Sequence, residues 1–330
     1  MHVGLVGAGR IGAFHGRSLK QSTSVDRLSV TDQDAARATG LARELGASSV
    51  ADARALFDQG IDALVIAAAT PAHAELLHMA ADAGVPAFCE KPIALDLDAT
   101  DAVIAHVERA GAFVQIGFQR RFDHGYRAAR DAVAGGGVGE LMLLRLATHD
   151  PEPPPETYVA GSGGIWLDLA IHDFDIAAWV AGRHVVEVYA DGEAREPIFE
   201  RHHDAGAACA VLRFEGGLLA AVTAARHDAL GYDVRMEVFG TRDSVGVGWD
   251  GRIALRSLEA GMAPPARGYR DFLDRFEPAY RAEIDAFLEA VKHGSPSPCP
   301  AVDARHALVV ALAAGRSMRE HRPVRIEEVA

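Results

Sequence analysis

Apolar residues fall in short continuous runs through the first third of the chain and in alternation with polar ones through the middle. Val3 to Val6, Leu28 to Thr31, Asp62 to Ala69, Ala87 to Cys89 and Phe113 to Gly117 are such runs. They are bounded by turn residues, as strands buried on both faces are. Helical stretches separate them: Ile11 to Lys20, one starting near Gln33, Pro71 to Ala83 with proline in its first turn, and Thr100 to Ala110. Strand and helix alternating over short links predict a parallel, doubly wound sheet of the Rossmann type. Such sheets bind ligands at the carboxyl ends of their strands.

A linking helix is expected from Phe122 to Ala134, then a strand from Leu141 to Thr148 that runs into His149 and Asp150. Pro151 to Pro155 make a stiff loop. After a further helix the period changes to two. Val185 to Ala190, Ala207 to Phe214, Leu218 to Arg226, Asp233 to Phe239 and Ser244 to Trp249 read as successive strands, with Gly216-Gly217 and Asp250-Gly251 as hairpin signals. Strands in succession predict a largely antiparallel sheet. One of its faces is covered by helices, and the other is left for a second subunit. Helices return from Pro278 to Lys292 and from Val302 to Glu320. The expected division is a nucleotide-binding domain over 1–118 and a substrate and assembly domain over 119–330.

The 330 residues, with 49% hydrophobic and 24% charged, suit two ordinary globular domains. A net charge of −13 argues against nucleic acid or an anionic membrane as partner. No apolar run reaches membrane-spanning length. The buried-strand pattern starts within the first residues, with no signal-like segment ahead of it. Cys89, Cys209 and Cys299 are far apart and form no CxxC pair. A cytoplasmic, reducing location is therefore expected.

Gly7-Ala8-Gly9-Arg10-Ile11-Gly12 joins the first strand to the first helix, which is GxGxxG in its required setting. Gly7 allows the tight turn, Gly9 lets a pyrophosphate approach, and Gly12 lets helix and strand pack. The helix N-terminus offers amides to the phosphates. Asp32 ends the second strand, where an acid accepts from both ribose hydroxyls and repels a 2′-phosphate. NAD is thus expected over NADP. The competing reading is that Asp32 merely caps the next helix. Thr70, Pro71, His73, Glu90, Lys91 and Gln119 lie at or just beyond strand ends. With Arg10, Ile11 and Trp166 they complete the expected cofactor set.

The stretch from Gly161 to Asp175, GSGGIWLDLAIHDFD, holds the densest candidate chemistry. Read as a helix beginning after Gly164, it places Asp168, His172, Asp175 and Trp179 at spacings of four, three and four, on one face. A carboxylate one turn from an imidazole can hold one ring nitrogen and leave the other to take a proton. A salt-bridged surface face would share this pattern. His202-His203-Asp204 is the best local cluster of metal-ligand types, but it lacks a second spaced pair. It reads as a solvated loop, and no metal is expected.

With these pieces assembled, the sequence resembles the Gfo/Idh/MocA oxidoreductases, particularly their inositol 2-dehydrogenase branch. The marks are GAGRIG at 7–12, TPAH at 70–73, CEKP at 89–92, IGFQRRFD at 116–123 and HDPEPPPETY at 149–158. They continue with SGGIWLDLAIHDFD at 162–175, GYD at 231–233 and AYRAEIDAFLEAV at 279–291. The resemblance implies a Rossmann domain, a second α/β domain with an open-faced sheet, NAD(P), a polyol or sugar substrate and a tetramer. It places the lysine of the EKP motif on Lys91 and the pair of DxxxH on Asp168 and His172, as a catalytic trio. It places substrate contacts on Arg121, Asp150, Asp175 and Tyr232, with Lys91, Asp168 and His172 also facing the polyol. His149 stands where close relatives often have arginine, which leaves the particular polyol open. The expected reaction is oxidation of a secondary ring alcohol with NAD. The alternatives are a related sugar dehydrogenase or reductase, or a non-catalytic nucleotide sensor.

Overall fold

A computed structural model of the chain describes residues 1–262 and 267–330. The chain separates into two compact units, Met1–Gln119 with Pro278–Arg305, and Arg120–Glu277 with His306–Ala330.

In the first unit the strands are β1 (His2–Val6), β2 (Arg27–Thr31), β3 (Ser48–Ser49), β4 (Ala63–Ile66), β5 (Ala87–Glu90) and β6 (Val114–Gly117). They form one sheet in the order β3-β2-β1-β4-β5-β6, parallel throughout. The strand order reverses between β1 and β4, which is where a doubly wound sheet opens a crevice for a nucleotide. The helices are α1 (Arg10–Gln21), α2 (Ala35–Leu45), α3 (Ala53–Asp58), α4 (His73–Asp82) and α5 (Leu97–Ala110). Leu5, Val30, Val65 and Phe88 form the sheet's share of the core, and Leu19 and Leu41 pack onto it from α1 and α2.

Ile284, Phe287 and Leu288 belong to this same core. Pro278–Arg305 clusters with the first unit although it follows the second in sequence. The cause is the apolar stripe of that helix, which is buried among the strands' own side chains. The expected helix from Pro278 starts earlier, within a span running Phe272–His293, and contains Pro278.

The second unit contains α6 (His124–Ala134), α7 (Glu156–Ser162), α8 (Ile171–Ala181) and α9 (Pro197–Arg201). The two long C-terminal helices, α10 (Phe272–His293) and α11 (Ala301–Glu320), are each divided between the units. The strands are β7 (Leu141–His149), β8 (Val185–Glu193), β9 (Ala207–Phe214), β10 (Leu219–Ala225), β11 (Asp233–Gly240), β12 (Ser244–Val247) and β13 (Val324–Arg325). Their order is β12-β11-β7-β10-β9-β8-β13. Only the β7–β10 pair is parallel, so the sheet is mixed but mostly antiparallel. Gly216-Gly217 turns β9 into β10 as expected. Asp250-Gly251 leads into irregular chain instead of a strand.

Alternation separates the faces of this sheet. In β9, Ala208, Ala210, Leu212 and Phe214 are buried. The register aligns Tyr189, Val211, Ala221, Arg145 and Glu237 in one row on the opposite face. Val211 and Tyr189 are 47% and 41% exposed there. Among the described residues no helix is long and apolar enough to cross a membrane.

Candidate active site

The glycine-rich turn divides its three glycines by role. Gly7 has φ 103°, and a Cβ on it would lie 2.4 Å from the Ala67 carbonyl oxygen. A Cβ on Gly12 would lie 2.0 Å from the Gly7 oxygen, so α1 can sit this close to the turn only without a side chain there. Gly9 is different. Its backbone (φ −71°, ψ −169°) suits any residue, and a Cβ would meet nothing within 4 Å. The space in front of Gly9 is open at the N-terminus of α1, where an anion is favoured by free amides and the helix dipole.

Asp32 faces the same turn. Its Oδ2 accepts from the Ala8 amide at 2.6 Å, and its Oδ1 accepts from the Asp34 amide at 2.8 Å. The cap of α2 is Asp34, which accepts from the amides of Ala36 and Arg37. The capping alternative for Asp32 therefore fails. A carboxylate to accept from ribose hydroxyls, held against a glycine-rich turn whose amides can donate to a pyrophosphate, is the arrangement an adenosine dinucleotide requires.

Other strand-end residues of this unit are turned inward. His73 is buried, with Nδ1 2.7 Å from the Pro92 oxygen and Nε2 3.0 Å from the Ala68 oxygen. It braces the loops after β4 and β5. Thr70 and Pro71 form a 3₁₀ turn just before α4. Glu90 bonds His15 Nε2 at 2.6 Å. Beneath it lies Glu283, fully buried, with neither carboxylate oxygen hydrogen-bonded. Burial, reinforced by the charge of Glu90, pushes the Glu283 carboxyl well up. Gln119 is also buried. Lys91 follows Glu90 at the end of β5.

In the second unit the stretch that carries Asp168 is not one regular helix. Trp166–Ala170 is a π-helical turn that runs into α8 at Ile171. A π turn holds more residues than an α turn, so the expected single face through Asp168, His172, Asp175 and Trp179 does not follow from α-helical spacing. Trp166 stacks on Phe174, with centroids 6.2 Å apart, and is buried. Asp204 Oδ1 accepts from the Ile165 amide at 2.8 Å, so this residue of the expected solvated loop supports the entry to the turn.

Asp168 Oδ1 accepts from the Tyr158 hydroxyl at 2.8 Å, and Oδ2 accepts from Arg226 Nη1 at 2.9 Å. The same Arg226 nitrogen reaches Asp150 Oδ2 at 3.4 Å. The structure thus brings Asp150 and Asp168 to one guanidinium. Arg121 and Asp175, expected as separate polyol contacts, are both buried and paired: Arg121 Nε donates to Asp175 Oδ2 at 2.9 Å. Beside them Arg120 Nη1 donates to Asp173 Oδ1 at 2.6 Å, and Thr148 donates to the same oxygen at 2.9 Å. Tyr232 is buried, its backbone amide donating to the Tyr269 oxygen, and burial pushes its hydroxyl up. His149 Nε2 lies 3.1 Å from Thr223 Oγ1, and its Nδ1 lies 3.5 Å from Asp228 Oδ2.

Arg226, Tyr158, Arg120 and Asp173 escaped the sequence reading. Tyr158 lay within the proline-rich stretch and Arg226 at the end of an expected strand. The adjacent Arg120-Arg121 and the Asp173-Phe174-Asp175 pattern were the available signal for two parallel ion pairs.

Residues 1–118 match the oxidoreductase family with the NAD-binding Rossmann fold, and residues 126–246 match the Gfo/Idh/MocA C-terminal domain. The chain belongs to the Gfo/Idh/MocA oxidoreductases. Among its relatives in this family is a myo-inositol dehydrogenase of Streptomyces leeuwenhoekii, 40% identical, with 96% of this chain and 97% of that one covered. A second is a myo-inositol 2-dehydrogenase of Thermotoga maritima, 34% identical over 100% of this chain and 99% of that one. Of the solved structures, a scyllo-inositol dehydrogenase of Lactobacillus casei with bound NAD(H) and scyllo-inositol superposes with a TM-score of 0.89. It is 26% identical and covers 99% of each chain. The chain is thus an oxidoreductase whose first domain binds NAD, as the open turn at Gly9 and the carboxylate of Asp32 fit.

Proposed function

We propose that this protein is an inositol 2-dehydrogenase, oxidising a secondary ring alcohol of a cyclic polyol with NAD. The observation that carries this reading is full-length likeness to inositol dehydrogenases in a chain that keeps Lys91, Asp168 and His172. Bound NAD supplies the hydride acceptor at its nicotinamide ring. His172 takes the hydroxyl proton, and Asp168 favours the cationic imidazole that results. Lys91 donates to the reacting oxygen and orients it. Asp150 and Tyr232 read the remaining hydroxyls, and Arg121 and Asp175 are held together as a buried pair. A site that leaves such groups unpaired with a poor substrate discriminates strongly.

The test is a panel of inositols and aldoses, each assayed with NAD and with NADP. Turnover of one inositol with NAD well above every aldose is the expected result. Preference for an aldose supports the second reading, a related sugar dehydrogenase.

The same reading includes a cytoplasmic homotetramer assembled on the open face of the second sheet, where Tyr189, Val211 and Leu143 stand in exposed rows. Light scattering at micromolar concentration tests it: a tetramer mass is expected, and a strictly monomeric mass under assay conditions refutes it.

A further inference from the structure

Arg226 follows the last residue of β10, and its side chain is only 2% exposed. A guanidinium so buried has to be held by acceptors, because desolvation of the charge is costly. The acceptors here are the two acids on which the proposed reaction depends. Nη1 donates to Asp168 at 2.9 Å and reaches Asp150 at 3.4 Å. Burial opposes the charge of Arg226, but Asp168 and Asp150 outweigh it, with Asp204 adding to them. Asp204 in turn accepts from the amide of Ile165, the residue before the π turn that carries Asp168.

The Arg226 backbone is fixed as well, its amide donating to the Gly206 oxygen at 2.8 Å. Two consequences follow. Asp168 and Asp150 share one cation, so both can stay ionised at close quarters. Asp168 also has its two oxygens committed to different donors, Oδ1 accepting from Tyr158 and Oδ2 from Arg226, which sets the carboxylate's rotation. Nε and Nη2 of Arg226 are buried with no hydrogen-bond partner. The side chain is therefore placed for its Nη1 contacts and not for saturation of its own donors.

We propose that Arg226 is a positioning residue for the dehydrogenase reaction: it holds Asp168 charged and correctly rotated, and ties Asp150 to the same point. This inference rests on the role assigned above to Asp168.

The test is a double-mutant cycle on the full-length enzyme with its best inositol, joining R226M and D168N. R226M should lower kcat about 10- to 100-fold, the range for one lost charge-assisted hydrogen bond, while NADH binding stays unchanged. In the D168N background the same substitution should cost less than about 3-fold, because its target is gone. Guanidinium ion should restore part of the activity of R226A and none of that of R226A/D168N. Losses that multiply in the double mutant, or an R226M enzyme with full kcat, overturn the proposal. If D168N alone keeps full kcat, the role of Asp168 falls, and the proposal falls with it. If D168N is impaired and the losses multiply, only the proposal falls. Should R226M fail to fold, R226Q carries the cycle, with the same coupling expected and the same multiplicative result decisive against it.

Discussion

Gly9→Ala separates cofactor binding from folding. At Gly7 and Gly12 a Cβ would collide with backbone at 2.4 and 2.0 Å, whereas at Gly9 it meets nothing within 4 Å. Alanine is a poorer N-cap than glycine, by roughly 0.5 kcal/mol or somewhat more. Stiffening of the unfolded chain returns about 0.4–1 kcal/mol. The net effect on stability is close to zero, and Tm should move by less than about 2 °C. The methyl group occupies the space where a pyrophosphate meets the N-terminus of α1. Displacing that anion by one methyl radius forfeits about one charge-assisted hydrogen bond, on the order of 1.5–3 kcal/mol. That corresponds to roughly 10- to 150-fold weaker NADH binding. Calorimetric titration with NADH, run beside thermal melting, measures both quantities on one sample. Unchanged affinity would mean the pyrophosphate lies elsewhere. A fall in Tm of many degrees would mean the turn at Gly9 is packed after all. Gly12→Ala is the contrasting control, with a large loss of stability expected.

Three further outcomes are expected. His172→Ala should lower kcat by about two to four orders of magnitude, as loss of a general base does, with NADH affinity retained by calorimetry; near-normal kcat would move the proton acceptor elsewhere. Asp32→Ala should narrow the NAD-to-NADP ratio of kcat/KM by weakening NAD and removing repulsion of the 2′-phosphate, and an unchanged ratio would remove Asp32 from the ribose site. Glu283→Gln should raise Tm increasingly from pH 5 to pH 8. The folded chain keeps a proton on Glu283 that the unfolded chain releases above its ordinary carboxylate range, so this group's stabilisation is full at low pH and lost as pH rises. Parallel Tm–pH curves for the two proteins would show that Glu283 does not titrate this way.

The nucleotide-binding half was legible in sequence because its determinants are local. Parallel strands buried on both faces are continuous apolar runs, and a glycine-rich turn between strand and helix is read within a few residues. Spacing alone marked Asp32, yet only the folded chain distinguished it from Asp34, since both acids precede the same helix and just one reaches the Ala8 amide. The stripe of Ile284, Phe287 and Leu288 announced a buried helix face but not which core would bury it. Periodicity assumed an α-helix through Asp168, where a π turn intervenes. The hub at Arg226 was beyond any pattern. Its carboxylate partners stand 76 and 58 positions away along the chain. Asp150 meets it because β7 and β10 lie side by side in the sheet, and Asp168 because the π turn packs against β10; both are decided by tertiary packing, not by the residues near Arg226.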